Sequence, residues 1–375
     1  MKKRVTILGS TGSIGRQTLE VIEQHSEDFE VYGLSAGANT ELLLWQADRY
    51  KAKRIASAAP LAKGGLISGE DAIEELAADK NADIVVLAIS GIAALKPLLA
   101  AIKNGKRVAI ANKESLVCGG ELVAEGLKKS GAELIPIDSE QSALFQCLQN
   151  GREDEVKRLI LTASGGPFFK LDREALRTVT MERALSHPTW NMGRKITLDS
   201  ATLFNKGLEL IEAARLFNRT AEEIDVLIHP QSIIHSMVEY RDGTVMANLS
   251  LPDMRLPILY ALSYPKRLQS ACRRLRLEET GELSFYPADL ERFISLRLAY
   301  EALRAGGGCP VVYNGANERA AELYFAKIIG FSDIEDCVAY ALEGYANSKM
   351  RSYEDIMETD ARARRLVDAF VARKG

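Results

Sequence analysis

The sequence is poor in histidine and cysteine, which limits the kinds of site that it can hold. Its 375 residues include four histidines and five cysteines. The number of cysteines is odd and no two form a Cys-x-x-Cys pair, which indicates reduced thiols rather than a disulfide framework. With so few histidines, a zinc site built from several of them is not expected.

Neither an excess of one charge nor a long apolar run is present. Lys plus Arg is 48 and Asp plus Glu is 51, which leaves a net charge of −3 and argues against a nucleic-acid-binding protein. No stretch approaches the roughly 18 consecutive apolar residues of a membrane span. The basic first residues precede an apolar run, 5–8, that is too short for a signal peptide. We therefore expect a cytoplasmic protein with no nucleic-acid or membrane partner.

The order of strand and helix patterns predicts three domains and a linker. In the first third, short β-rich runs alternate with helical patterns, and the apolar run 83–89 is typical of a strand buried on both faces. We predict an α/β protein with the following parts: a Rossmann-like, doubly wound parallel sheet at 1–149, a central α+β catalytic domain at 150–263, a linker at 264–287 and a helical C-terminal domain at 288–375.

Two predictions within the central domain concern single elements. The β-rich runs 233–240 and 244–250 flank Arg241-Asp242-Gly243, which predicts a β-hairpin. One helix is predicted over 200–216.

A glycine-rich turn follows the first predicted strand and opens a helix. Residues 9–15, Gly-Ser-Thr-Gly-Ser-Ile-Gly, have the spacing G-x-x-G-x-x-G rather than the common G-x-G-x-x-G. Glycine lets the backbone approach a pyrophosphate, and the helix N-terminus supplies free N–H groups. A plain turn is the alternative, but the position within a βαβ unit favours nucleotide binding.

The end of the second strand bears on the choice of cofactor. NAD sites usually place an acidic residue about 20 residues beyond the glycines. Residues 35–39 here are Ser-Ala-Gly-Ala-Asn, with no carboxylate to repel a 2′-phosphate. This favours NADPH over NADH, with an ordinary exit from strand to loop as the alternative.

Acidic residues further along the chain indicate a metal site with oxygen ligands. Asp138 and Glu140 follow a predicted strand, and if the strand continues through them both side chains point to one side. Such carboxylates repel unless a cation lies between them, and Mg²⁺ or Mn²⁺ suits oxygen ligands. On a helix, Asn205, Lys206 and Glu209 share one face, so that Glu209 is a third candidate ligand. A Lys–Glu pair at the surface is the alternative for that helix.

Three further segments have less specific patterns. Residues 164–166, Ser-Gly-Gly, offer a hydroxyl and N–H groups to an anion, and a simple turn explains them equally well. The loop from about 187 to 194, which holds a tryptophan beside a histidine, predicts a mobile lid that a phosphorylated ligand orders. His229 and His235 have no thiolate or carboxylate at ligand spacing, and we interpret them as structural histidines.

Taken together, these motifs resemble those of the 1-deoxy-D-xylulose 5-phosphate reductoisomerase family. The matching segments are 9–15, 111–117, 138–140, 164–168, 187–190, 192–195, 199–202, 205–209, 229–236 and 252–254. The resemblance implies NADPH- and metal-dependent rearrangement and reduction of 1-deoxy-D-xylulose 5-phosphate to 2-C-methyl-D-erythritol 4-phosphate, in non-mevalonate isoprenoid biosynthesis. It leaves the rearrangement open between a retro-aldol and aldol route and an α-ketol shift. It also implies a homodimer.

Carried over by position, the resemblance implies a role for each matching residue. The implied NADPH contacts are Thr11, Gly12, Ser13, Ile14, Gly37, Ala38, Asn39, Asn112, Glu114 and Gly193. The implied ligands of Mg²⁺, Mn²⁺ or Co²⁺ are Asp138, Glu140 and Glu209. The implied substrate contacts are Lys113, Ser139, Glu140, Ser164, His187, Trp190, Ser200, Asn205, Lys206 and Glu209. The catalytic candidates are Lys113, Glu140 and His187. One departure is Ala38, which stands where some members carry a lysine that faces the 2′-phosphate.

Two rival classes of protein stay open. One is a metal-free NADP-dependent dehydrogenase of another substrate, such as a semialdehyde or a sugar, whose activity would survive chelation. The other is a non-enzymatic Rossmann-type redox sensor, which should lack a metal triad.

Overall fold

The computed structural model describes residues 1–59, 67–69, 71–176, 178–186, 190 and 193–374. Within these residues, the strands are β1 (Lys3–Leu8), β2 (Phe29–Ala36), β3 (Arg54–Ser57), β4 (Ile67–Ser68), β5 (Ile84–Leu87), β6 (Arg107–Ile110), β7 (Glu133–Pro136), β8 (Val156–Ala163), β9 (Ile224–Ile228), β10 (Ile234–Tyr240), β11 (Val245–Leu249) and β12 (Tyr286–Pro287). The helices are α1 (Ser13–Gln24), α2 (Thr40–Arg49), α3 (Ala72–Ala78), α4 (Leu95–Lys103), α5 (Glu114–Ser130), α6 (Ser139–Leu148), α7 (Arg173–Leu176), α8 (Met181–Ala184), α9 (Arg194–Ala201), α10 (Phe204–Leu216), α11 (Arg255–Ser263), α12 (Leu277–Thr280), α13 (Ile294–Ala305), α14 (Cys309–Phe325), α15 (Asp333–Glu343) and α16 (Tyr353–Lys374). Short 3₁₀ turns lie at Ile92–Ala94, Glu153–Glu155 and Ala221–Glu223.

The chain forms two compact units, each assembled from several stretches of sequence. The first unit comprises Met1–Ser115, Glu121–Phe145 and Asp253–Arg274, and the second comprises Leu116–Gly120, Gln146–Pro252 and Leu275–Gly375. The domain boundaries expected from the sequence stay a prediction.

A seven-stranded sheet organises the first unit. Its order is β4-β3-β2-β1-β5-β6-β7, and every neighbouring pair is parallel. The chain runs outward from β1 to β4 and then returns to add β5 to β7 on the other side, so the predicted doubly wound sheet is confirmed. The strand order reverses between β1 and β5, and ligands of such sheets bind at this reversal, beyond the carboxyl ends of the strands.

A segment from late in the chain completes the first unit. Helix α11 packs against α1, and its buried Ile258 and Leu262 join the core that β1 and β2 form. The guanidinium of Arg107 donates a hydrogen bond of 2.6 Å to the carbonyl oxygen of Tyr264. The Tyr264 ring also meets Phe145 edge to face, with ring centroids 5.2 Å apart.

A five-stranded mixed sheet lies in the second unit. Its order is β11-β10-β8-β9-β12, with β8 and β9 parallel and the other neighbouring pairs antiparallel. The predicted hairpin is confirmed, because β10 and β11 pair across a turn where Gly243 has a φ of +89°. The region after 288 is dominated by helices α13 to α16, as predicted, and α14 packs against both α15 and α16.

The single helix predicted over 200–216 is wrong, because two helices occupy this stretch. Helix α9 ends at Ala201 and α10 begins at Phe204, and between them Leu203 takes a left-handed φ of +61°. The break exposes the carbonyl oxygen of Thr202 to the hydroxyl of Ser295, which donates a hydrogen bond to it. Ser200 therefore lies at the end of α9, not at the start of α10.

Across the part of the chain that the structure describes, no helix combines the length and apolar character that crossing a membrane requires.

Candidate active site

The glycine-rich turn joins β1 to α1 at the reversal of strand order. A Cβ atom on Gly9 would lie 2.5 Å from the carbonyl oxygen of Ala88, and one on Gly15 would lie 2.4 Å from that of Gly9. Gly12 is less confined, because its Cβ would meet only the Gly9 oxygen, at 3.4 Å. No side chain caps the start of α1, which leaves its first N–H groups available to an anion. The turn therefore fits the pyrophosphate of a dinucleotide.

A buried glutamine that the sequence analysis missed holds this turn. The Ser10 hydroxyl donates to Oε1 of Gln46 at 2.7 Å, and Nε2 of Gln46 donates back to the Ser10 carbonyl oxygen at 3.0 Å. Gln46 is 2 % exposed and lies on the face of α2 that also buries Leu43 and Ala47. The only signal was a polar residue at a core position of a helix.

Three of the implied NADPH contacts, residues 37–39, directly follow β2. No described atom lies within 4 Å of the place that a Cβ on Gly37 would take, so the backbone there is open to a ligand. The Ser57 hydroxyl donates to the Gly37 carbonyl oxygen at 3.2 Å. Asn39 also has a structural role, because its side-chain oxygen accepts a hydrogen bond of 3.2 Å from the Leu42 N–H and caps α2.

The predicted contacts after β6 form one hydrogen-bonded group. Nδ2 of the buried Asn112 donates to Glu114 at 2.7 Å and to the carbonyl oxygen of Gly91 at 3.0 Å. Next to them, Nζ of Lys113 lies 2.9 Å from Oδ2 of Asp138, and both side chains are largely buried. The structure therefore brings a catalytic candidate against a predicted metal ligand.

The condition that the strand continues through Asp138 and Glu140 is not met. Strand β7 ends at Pro136, and helix α6 begins at Ser139. Asp138 precedes the helix, and its carboxylate accepts a hydrogen bond of 3.3 Å from the Glu140 N–H. The Ser139 hydroxyl donates to the Glu140 carboxylate. A carboxylate is favourable in the first turn of a helix, which explains why the helix begins here.

In the second unit, two predicted substrate segments meet. Gly166 has a φ of +63°, and a Cβ on it would lie 2.6 Å from the carbonyl oxygen of Ser200. The Gly166 N–H donates to the Ser164 hydroxyl at 3.2 Å. The loop 164–166 is therefore packed against the end of α9, and both serines that resemblance assigns to the substrate belong to this contact.

Glu209 is buried on α10 and has two polar neighbours from its own helix. Lys206 forms an ion pair with it, and Asn205 donates a hydrogen bond to it. The side chains of Lys206 and Glu209 are 4 % and 2 % exposed, so the alternative of a surface pair is wrong. A Cβ on Gly207 would lie 2.0 Å from the hydroxyl oxygen of Tyr313, which is why this helix carries a glycine there.

The histidines that the structure describes in this region have structural partners. Nδ1 of His229 lies 2.9 Å from the Ser284 carbonyl oxygen, and its Nε2 accepts a hydrogen bond of 3.2 Å from the Ile233 N–H. Nε2 of His235 lies 2.9 Å from the Ser250 hydroxyl. Our interpretation of both as structural histidines is consistent with these contacts.

The predicted lid falls largely outside the described residues. His187 lies in the undescribed stretch 187–189, and residues 191 and 192 are also outside the described residues. Trp190 is half-buried, with its ring centroid 6.4 Å from that of His235. Gly193 precedes α9, and no described atom lies within 4 Å of the position of a Cβ there.

The fold and these residues define a nucleotide-binding α/β protein with buried acidic and basic side chains at its candidate sites. Profiles described as 1-deoxy-D-xylulose 5-phosphate reductoisomerase match residues 5–120 and, for its C-terminal domain, 134–217. A profile described as the DXP reductoisomerase C-terminal domain matches 249–366.

Similar proteins align with nearly the whole length of this chain. The 1-deoxy-D-xylulose 5-phosphate reductoisomerase of Chlorobium phaeobacteroides is 48% identical over 99% of this chain and 100% of its own. A solved structure of the 1-deoxy-D-xylulose 5-phosphate reductoisomerase of Zymomonas mobilis in complex with NADPH has a TM-score of 0.93 and 43% identity, and the match covers 99% of both chains. A DOX-P reductoisomerase in complex with NADPH, fosmidomycin and magnesium has a TM-score of 0.91 and 38% identity, over 99% of this chain and 98% of that one. The chain belongs to the 1-deoxy-D-xylulose 5-phosphate reductoisomerase family.

Proposed function

We propose that this protein converts 1-deoxy-D-xylulose 5-phosphate to 2-C-methyl-D-erythritol 4-phosphate, with NADPH and a divalent metal ion. The observation that carries the proposal is that this family member has two features together. These are an open glycine-rich turn at the reversal of a doubly wound sheet and carboxylates that are held by buried lysines.

The donor set fits a hard divalent cation. Asp138, Glu140 and Glu209 each offer a carboxylate oxygen that could hold a metal ion. Lys113 and Lys206 supply positive charge to Asp138 and Glu209. A buried carboxylate needs such a charge partner, and a divalent cation meets the same need.

The coenzyme has a matching surface in the first unit. The N-terminus of α1 and the turn before it favour the pyrophosphate, and the open backbone at Gly37 leaves room beside β2. Thr11 lies in this turn, and Ser13 and Ile14 are the first two residues of α1. Asn112 and Glu114 then follow β6, at the same carboxyl edge of the sheet.

In the proposed mechanism, the protein binds and orients the sugar phosphate. When bound, the metal ion supplies Lewis-acid polarisation of carbonyl and hydroxyl oxygens, and NADPH supplies the hydride. Ser164, Ser200 and Asn205 are donors for the substrate's phosphate and hydroxyl groups. Lys113 and Glu140 are the groups that we propose to transfer or hold protons, since each lies beside a carboxylate or hydroxyl partner at the edge of the sheet.

The test is direct mixing of the protein with 1-deoxy-D-xylulose 5-phosphate, NADPH and Mn²⁺. We expect the absorbance of NADPH to fall, a smaller kcat/KM with NADH, and loss of turnover on chelation. Substrate-dependent oxidation that persists in the metal-stripped protein would favour the metal-free dehydrogenase instead. No oxidation under any of these conditions would contradict the proposal.

We infer further that the protein is a cytoplasmic homodimer. Support for the dimer comes from β11, an edge strand whose Val245 and Leu249 are 46% and 37% exposed. An exposed apolar edge strand is a pairing surface unless something covers it. A second copy of this chain is the partner that family membership favours.

A further inference from the structure

The C-terminal helices hold the turn that connects the predicted substrate residues. The Ser295 hydroxyl on α13 donates a hydrogen bond to the Thr202 carbonyl oxygen, between α9 and α10. The Tyr313 hydroxyl on α14 donates in turn to the Ser295 carbonyl oxygen at 3.1 Å. Tyr313 is completely buried, and burial raises the pKa of its phenol, so it stays a neutral donor.

One residue of α14 reaches α9 directly. Nδ2 of Asn317 donates a hydrogen bond of 3.1 Å to Oδ1 of Asp199, and the two residues are 0% and 4% exposed. The other oxygen of Asp199 forms an ion pair with Lys195, one turn earlier on α9. Asp199 immediately precedes Ser200. A single buried carboxylate therefore connects Asn317 to both ends of α9.

We propose that Asn317 is a positioning residue for substrate binding, which acts through Asp199 on Ser200 and Lys195. Its amide fixes one carboxylate oxygen, so that the other oxygen faces the Lys195 ammonium and the last turn of α9 keeps its orientation. A hydrogen bond to a charged group is stronger than one between neutral groups, and its loss frees the carboxylate to rotate. The inference rests on the proposed function in taking Ser200 as a contact of the sugar phosphate.

The chain offers a matched control on the same helix. Asn314 is also 0% exposed, and its Nδ2 donates to Glu318 at 3.3 Å, within α14. For both asparagines, the Oδ1 atom has no hydrogen-bond partner among the described residues. Asn314→Ala therefore removes an equally buried amide whose hydrogen bond stays within α14.

The experiment compares Asn317→Ala with Asn314→Ala by steady-state kinetics and amide hydrogen exchange. We expect Asn317→Ala to raise the KM for 1-deoxy-D-xylulose 5-phosphate about tenfold, as loss of a hydrogen bond to a charged group predicts. The Kd of NADPH should change less than the KM, because Gly193 is the one implied NADPH contact that adjoins α9. Exchange over 194–203 should become faster in Asn317→Ala alone, while both variants lose similar Tm.

A second variant tests the route through Asp199. Asp199→Asn keeps the shape of the side chain but removes its charge, and we expect it to raise the KM by a similar factor. Combining it with Asn317→Ala should add little, because both changes act on one interaction. If Asn317→Ala does not fold, Asp199→Asn alone carries the kinetic and exchange measurements.

The outcomes separate this inference from the proposed function. A wild-type protein that does not oxidise NADPH with the substrate contradicts the proposed function, and the exchange measurement still tests Asn317. Equal exchange over 194–203 in wild type and variant would overturn the positioning role. The same holds for an active enzyme in which Asn317→Ala and Asn314→Ala have the same KM.

Discussion

At the scale of single residues, Glu209 is the clearest case in which the structure shows more than the sequence pattern does. In the sequence it is one member of a common Lys–Glu spacing on a helix. In the structure its side chain is 2% exposed and lies against Lys206 and Asn205. A charged carboxylate is costly to bury, so its presence at this position indicates a role that a neutral side chain would not fill.

The first prediction concerns this carboxylate. Glu209→Gln keeps the shape of the side chain and removes its negative charge, so metal affinity and turnover should both fall by about 100-fold or more. NADPH binding should be nearly unchanged. Calorimetric titration with Mn²⁺ and fluorescence titration with NADPH measure the two affinities.

The matched control is Glu222→Gln, which changes an exposed glutamate that pairs with Arg304. It should leave both titrations at the wild-type values. Wild-type metal affinity in Glu209→Gln would remove Glu209 from the proposed ligand set.

Sequence patterns predicted the chemistry of single residues better than their surroundings. The shared helix face of Asn205, Lys206 and Glu209 follows from the 3.6-residue period and is confirmed. Burial does not follow from that period, since it depends on what packs against the helix. Gln46 was missed for the same reason, because its partner Ser10 is 36 residues away.

At the scale of elements, the turn between β1 and α1 contains two glycines that the fold needs and a third, Gly12, that we propose binds NADPH. Gly9 and Gly15 lie too close to backbone atoms to accept a Cβ, and backbone cannot move aside as a flexible side chain can. Gly12 has room for a methyl group within the protein.

The second prediction uses this difference. Gly15→Ala should destabilise the protein by on the order of 3 kcal/mol, since a Cβ 2.4 Å from the Gly9 oxygen forces the turn to shift. Gly12→Ala should keep the wild-type Tm and weaken NADPH binding, because the new methyl group stands at the uncapped start of α1, where we propose that the pyrophosphate binds. Thermal unfolding and NADPH titration test both. Equal Tm values for the two variants would contradict this account of the turn.

Two element boundaries show where sequence patterns fail. The run before Asp138 is typical of a strand, and period alone does not mark its end at Pro136. Between 200 and 216 the apolar spacing is helical throughout, so only the left-handed backbone of Leu203 reveals the break. Both failures lie at segments that carry predicted site residues, where local preferences compete with the needs of the site.

At the scale of the whole molecule, the rhythm of strands and helices predicted the doubly wound sheet, because parallel strands buried on both faces leave a continuous apolar signature. The return of Asp253–Arg274 to the first unit was not predicted. Helix α11 is apolar on most of its surface, and such a helix suits the core of either unit. Long-range packing of this kind leaves no periodic mark in the sequence.

The edges of the five-stranded sheet differ in how they meet solvent, and this difference supports the last prediction. At one edge, β12 has only two residues, and one is Pro287, which has no N–H to offer a partner strand. At the other edge, β11 has five residues, and its exposed positions include Val245, Ala247 and Leu249. A second copy of the chain therefore has a usable apolar strand at β11 and not at β12.

We expect the wild-type protein to have twice its chain mass of 41.2 kDa in light scattering. The double variant Val245→Lys, Leu249→Lys should shift it to a single chain mass, because a buried interface does not accept two unpaired ammonium groups. Ile328→Lys is the control, since Ile328 is 59% exposed and lies outside β11. It should stay dimeric. A wild-type protein of single chain mass at micromolar concentration would contradict the homodimer. A double variant that stays dimeric would show that β11 is not part of the interface.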